Sequence, residues 1–315
     1  MASVSTPVGG LAGRPDNPLL QSLTKFIKSV CIVFVLSPSN AVKTTPKLFL
    51  SCLFCIVLLL SAVVAMGDDR RISGARTVLS IKGVEYAFRW CPPGMFMMGS
   101  PASELGRIGN ETQYHVVLSH GFWMLETPVT QSMWENVTGS NPSGFRGANL
   151  PVECVSWDDC QEFIQKLNGL NVAPTGYRFS LPTEAQWEYA CRAGTTTPFH
   201  FGSTLDIDKA NFSGSVGPPN EPGRTSAVGS YPANAWGLHD MHGNVREWCL
   251  DWYGNYPSGS VTDPTVPFGS VRVIRGGCWS RNSHATECRS ASRSAYGQSE
   301  RVSFIGFRLA LVPAE

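Results

Sequence analysis

Leu181-Pro182-Thr183-Glu184-Ala185-Gln186-Trp187-Glu188-Tyr189-Ala190 carries a helix start in ten residues. Thr183 followed three places later by Gln186 matches a capping box, in which each side chain satisfies a backbone N–H that the first turn leaves open. Trp187, Tyr189, Ala190 and Cys191 form the helix body, and Gly194 stands where a left-handed C-terminal residue belongs. Two further helices have similar signals. Thr130 precedes Gln131 to Val137, which Gly139 ends. Ser156 precedes a segment whose Trp157, Cys160, Ile164 and Leu167 recur at spacings of three and four, giving one buried face. Upstream, Thr77–Ile81 and Tyr86–Trp90 alternate apolar and polar around Lys82-Gly83, which predicts a hairpin. Pro92-Pro93-Gly94 breaks that pattern before Met95, and Val116 to Met124 reads as a second strand pair or an extended run into Glu126. Thr195 to Asn234 reads as loop, and a loop so long inside a compact domain calls for ions or disulfides to organise it.

The composition agrees with a loop-rich fold. All nine Trp lie between Trp90 and Trp279, the chain has 31 Gly and 22 Pro, and only 16% of its residues are charged. Such a chain builds its core from aromatics under ordered loops. A net charge of +1 provides no basic footprint, so no nucleic-acid partner is expected. Leu48 to Met66 carries no charge, follows Lys43 and Lys47, and precedes Asp68-Asp69-Arg70-Arg71. Residues 47–67 are therefore read as a signal peptide or membrane anchor, and residues 1–46 as an N-terminal extension expected to be disordered. This places the protein outside the cytoplasm, secreted or periplasmic or anchored by residues 48–66, and confines membrane contact to that segment. After it come Cys91, Cys154, Cys160, Cys191, Cys249, Cys278 and Cys288, an odd number that leaves at least one thiol unpaired within a chain. Export permits disulfides among them. His239 and His242 lack metal-ligand spacing, and no Gly-x-Ser-x-Gly elbow occurs.

Six segments in order carry a resemblance. They are Pro93–Ser100, Glu126–Gln131, Val155–Asp159, Leu181–Ala190, Gly237–Trp248, and a terminal block of Arg272–Trp279, Cys288–Ser294 and Ile305–Arg308. Together they resemble the formylglycine-generating enzyme, or sulfatase-modifying factor, family over residues 77–312. The resemblance implies an α+β fold: a compact, loop-rich, C-type-lectin-like domain with little regular secondary structure.

It also implies sites. Calcium is the expected cofactor, held by Asp240, the Gly243 and Val245 carbonyls and Glu247, oxygen ligands of the kind calcium takes. A second calcium position falls on Asn211, the Phe212 carbonyl, Asn220 and the Pro222 carbonyl, with Asn220 where an acid is usual. Cys191 and Cys288 are the implied disulfide, with Cys249 and Cys278 the next pairing. Trp279, Arg281, Arg289, Arg293 and Ser294 fall where family members shape a peptide groove. Active members oxidise a sulfatase cysteine to formylglycine with copper(I) on two thiolates five residues apart. The nearest matches here are Arg281 and Thr286, or the positions adjacent to them if the gap falls elsewhere; neither Arg281 nor Thr286 carries sulfur, so copper is not expected.

Two functions follow. The first is an exported module, without the copper cysteine pair, that binds a protein, peptide or glycan. The alternative is a formylglycine-generating oxidase acting on a sulfatase through divergent ligands, in which Cys278 would be catalytic. A thiolate pair facing the groove would favour the second.

Overall fold

The computed structural model describes residues 71–212, 223–280 and 283–314. The extension, the apolar leader, Asn220, Pro222 and Arg281 lie outside the described residues. The described residues form one compact unit. Its elements are short: β1 (Arg76–Ile81), β2 (Val84–Cys91), β3 (Gly94–Met98), β4 (Tyr114–Leu118), β5 (Phe122–Leu125), α1 (Gln131–Thr138), α2 (Trp157–Gly169), β6 (Tyr177–Ser180) and α3 (Glu184–Arg192). The second half adds β7 (Arg246–Trp252), β8 (Ser260–Thr262), β9 (Arg272–Arg275), β10 (Arg293–Tyr296), β11 (Ile305–Gly306) and β12 (Ala310–Pro313).

Local chemistry sets these boundaries. Lys82 and Gly83 both take positive φ, 48° and 84°, the pattern of a two-residue hairpin turn whose twist suits the flanking β1 and β2. Thr130 caps α1, and Ser156 and Thr183 make full capping boxes with Asp159 and Gln186. At the end of α3 the left-handed cap is Ala193 (φ 44°), one residue earlier than the glycine suggested; Gly194 continues the turn at φ 90°.

The strands form three sheets, ordered β1-β2-β5-β12-β6, β10-β9-β7-β11 and β3-β4-β8. The C-terminal strand β12 lies between β5 and β6, so the end of the chain completes the first sheet. One core packs α1 and α2 against this sheet: Trp134 stacks on Phe163 at 5.0 Å, and Phe307 meets both rings edge-on. Fully burying each such ring stabilises the fold by about 2–3 kcal/mol. A second core surrounds Trp187, Leu238 and Met241.

Helix α3 buries charge as well as apolar surface. Glu184 and Glu188 are almost wholly enclosed, and buried carboxylates require partners. Arg275 supplies one, 2.5 Å from Glu188 Oε2, and also donates to the Ser290 and Ala291 carbonyls. Arg192 reaches back one turn to Glu188 Oε1 at 2.9 Å, and Arg293 grips both oxygens of Glu184 at 2.6 and 2.8 Å. Residues from helix α3, β9 and β10 are thus joined by ion pairs in the interior.

Candidate functional site

The loop 237–245 enters β7 through unusual backbone. Asp240 and Asn244 adopt positive φ (59° and 68°), and a Cβ added at Gly243 would stand 2.4 Å from the Asn211 carbonyl oxygen. Only glycine permits that approach. Asn244 then donates its N–H to the same carbonyl at 2.8 Å, while its side chain accepts from Ser226 N–H at 3.0 Å and donates to the Ser226 carbonyl at 3.1 Å. The segments at 211 and 240–247, predicted as separate ion sites, are fastened to each other.

Asp240 is enclosed, and its Oδ2 accepts from Gly229 N–H at 2.7 Å. Its Oδ1 has no partner among the described residues. Burial pushes this carboxyl up to about 6, partly opposed by the Gly229 hydrogen bond and by Arg308. A buried carboxylate oxygen without a partner is what a cation would complete, so Asp240 fits the calcium expectation. Glu247 is arranged differently: Arg308 donates to both of its oxygens at 2.6 and 2.7 Å, and Trp187 Nε1–H adds a third bond at 2.7 Å. As a metal ligand Glu247 is therefore corrected to a structural anion, because a guanidinium already neutralises it. Among the described residues no three His, Cys, Asp or Glu side chains converge as a metal-binding group.

The histidines act as fasteners. His242 Nδ1 pairs with the Cys288 carbonyl at 2.7 Å, and its Nε2 accepts from His200 N–H at 3.1 Å. Burial lowers both rings, His242 to about 3 and His200 to about 4, keeping them neutral near pH 7. His239 pairs its Nδ1 with the Tyr231 carbonyl at 2.8 Å.

The implied disulfide is absent. Cys191 and Cys288 are both buried free thiols. The Cys191 sulfur faces the His242 ring at 3.8 Å and Ser290 Oγ at 3.6 Å, and the same imidazole pairs with the Cys288 carbonyl at 2.7 Å. Cys249 and Cys278 are also unpaired, and the Cys249 sulfur lies against its own strand at the Glu247 carbonyl.

The predicted groove separates in the same way. Arg289, 2% exposed, pairs with Glu104 and Glu111 and donates to the Gly106 and Thr286 carbonyls. Arg293, 3% exposed, is committed to Glu184. Both are corrected from ligand-facing to internal, since an arginine whose donors are consumed by buried acids cannot hold a ligand's carboxylate. Trp279 and Ser294 are half-buried. The Trp279 ring meets Phe145 edge-on at 5.3 Å, and Arg224 lies 5.4 Å over the other ring of that pair. Phe145 was missed from sequence. So was Glu153, wholly buried, which accepts from Phe145 N–H at 2.9 Å through one oxygen. Its one sequence signal was an acid set among apolar neighbours in Pro151-Val152-Glu153-Cys154-Val155. Beside it, Cys154 adopts φ 56°, and burial pushes its thiol up to about 11.

A separate cleft of about 450 Å³ runs along Met98, Tyr114, Asp251, Tyr256 and Val261. Asp251 forms its inner wall and seats α3, accepting from Glu184 N–H at 2.6 Å and Val266 N–H at 2.8 Å.

A loop-rich α+β domain closed by its own C-terminal strand and cross-braced by buried arginine–carboxylate pairs defines the class of protein. The chain belongs to the sulfatase-modifying factor family: the family model for the sulfatase-modifying factor enzyme 1-like domain matches residues 85–312. It is 31% identical over 212 residues to the formylglycine-generating enzyme of Mus musculus, covering 64% of this chain and 54% of that protein. It is 32% identical over 243 residues to the serine/threonine-protein kinase pkn1 of Chlamydia caviae, covering 69% of this chain but 36% of the kinase. Among solved structures, Treponema denticola variable protein 1 superposes with a TM-score of 0.67 at 28% identity, covering 76% of this chain and 99% of that one.

Asp251 yields a pH prediction. Burial, reinforced by the Glu184 charge, raises its carboxyl from 3.8 to about 6. The folded state therefore takes up this proton more readily than the unfolded chain. The resulting stabilisation is full below about pH 4 and is lost as pH rises through 6, a change of about 3 kcal/mol. Urea unfolding of the wild type and Asp251→Asn across pH 4–7 should show this component of the slope vanish in the variant. An unchanged slope would contradict the assignment.

Proposed function

We propose that this protein is an exported binding or accessory module of the sulfatase-modifying factor family, one that holds a protein, peptide or glycan and does not oxidise cysteine. The observation carrying this reading is the pair Arg281 and Thr286 at the positions where active relatives place thiolates. Neither can bind copper(I), which requires soft sulfur. Thr286 is half-buried and lies against Gly106, where an added Cβ would fall 2.4 Å from its Cγ2. Cys278 and Cys288 are 1% and 0% exposed, which gives no support to a thiolate pair facing a groove. The half-buried Phe145 and Trp279 rings offer apolar contact for a ligand of this module.

Incubating the full chain with copper(I), oxygen and a Cys-x-Pro-x-Arg sulfatase peptide should leave the peptide mass unchanged while a control formylglycine-generating enzyme converts it. Conversion of the peptide cysteine to an aldehyde by this chain would establish the oxidase alternative and direct attention to Cys278.

Calcium is the proposed cofactor, supported by the unpartnered Oδ1 of Asp240. Asp240 with the Gly243 and Val245 carbonyls would hold it, and the ion would supply structural charge balance in the loop. Calcium should raise the Tm of the wild type at pH 7.5 and leave that of Asp240→Asn unmoved. An equal rise in both would remove Asp240 from the site.

A further inference from the structure

We propose that Cys278 and Cys288 oxidise to an intramolecular disulfide that closes the segment between β9 and β10. Three contacts bring them together. Gly277 has φ +71°, and a Cβ added to it would stand 2.4 Å from the Cys288 sulfur and 3.0 Å from the Cys288 Cα. The absence of a side chain at 277 thus lets the Cys288 thiol rest against the backbone one residue before Cys278. The Ser283 hydroxyl joins the two from the other side, accepting from Cys278 N–H at 3.0 Å and lying 4.0 Å from the Cys288 sulfur. Arg246, ion-paired with Glu287, is close enough to favour the thiolate of either cysteine.

The contacts of Cys191 and Cys249 lie with other groups. Cys191 faces His242 and Ser290, and Cys249 lies against β7. Burial pushes the Cys288 thiol up to about 12, and a negative charge on Cys278 opposes its ionisation further. Neither thiol is exposed, so oxidation requires local opening of the segment.

The chemistry is two thiol–disulfide exchanges with a small disulfide oxidant such as glutathione disulfide. One cysteine thiolate attacks the oxidant, releasing one small thiolate and leaving a mixed disulfide. The second cysteine then attacks the mixed disulfide, forming the Cys278–Cys288 S–S bond and releasing another small thiolate. Two protein S–H bonds are lost, and two electrons and two protons end on the two small thiols. The bond fastens the start of β10 to the end of β9 and removes Cys278 from any thiolate chemistry. It goes beyond the binding reading and does not depend on it.

The test uses the full chain, purified reduced, then exposed to glutathione disulfide at a urea concentration below its unfolding midpoint, quenched in acid, alkylated and digested with trypsin without reduction. Cleavage after Arg275, Arg281 and Arg289 separates the cysteines into peptides 276–281 and 282–289. The expected result is these two peptides recovered as one species, two hydrogens lighter than their sum, which reductant separates. In Cys278→Ser, Cys288 should instead be recovered alkylated or carrying glutathione. Both cysteines alkylated or glutathionylated in the wild type, or Cys288 joined to the peptide of Cys191 or Cys249, would overturn the proposal.

Discussion

Arg308 and Glu247 meet with both side chains fully excluded from solvent, two parallel N–H···O bonds between them. An unpaired charge at that depth would be prohibitive, so the pair forces three parts of the chain into one arrangement. Arg308 also donates to the carbonyls of Leu125 on β5 and His239 in the loop before β7, while Trp187 of α3 donates to Glu247. Two sheets, one helix and the loop bearing Asp240 are thereby fixed to the last residues of the chain. Arg275 with Glu188, Arg293 with Glu184, and Arg289 with Glu111 repeat the device nearby. Removing one partner of such a pair costs about 3–5 kcal/mol, whereas an exposed pair such as Arg301 with Asp159 contributes less than about 1 kcal/mol.

This frame determines what remains for ligands. Arginines on a loop-rich surface would suit a peptide's carboxylates, but here their donors are taken by acids from α3 and from the 104–111 segment. The surface keeps aromatic rings at Phe145 and Trp279. Asp240 keeps one oxygen without a partner among the described residues, on a loop that Arg308 anchors at the His239 carbonyl. Burial also explains the neutral His242: a ring held by the Cys288 carbonyl and the His200 N–H is enclosed, and enclosure disfavours its charged form.

Much of the fold was legible because it is written locally. The capping box at Thr183, the helix start at Ser156 and the Lys82-Gly83 turn depend on residues a few places apart, and each appears where the sequence put it. The insertion of β12 between β5 and β6 has no local signal, since pairing across nearly two hundred residues is decided by packing. The charged residues were least legible. Arg289, Arg293 and Glu247 have the chemistry of binding groups, and only their partners, far away in sequence, turn them into braces. Cys191 and Cys288 suggested a bond through resemblance alone; the contacts of His242 with the Cys191 sulfur and the Cys288 carbonyl have no signal in their positions. Phe145 and Glu153 went unnoticed because a single aromatic and a single acid carry no pattern until a fold brings Trp279 beside them.

Arginines of the C-terminal half brace the interior. A dicarbonyl reagent specific for arginine, followed by peptide mass mapping of the native full chain, measures this directly. Exposed Arg301 and Arg146 should be labelled rapidly, with Arg275, Arg289, Arg293 and Arg308 protected until denaturant is added. Labelling of Arg289 and Arg293 in the native protein as fast as Arg301 would contradict it and return those two side chains to the ligand-facing surface.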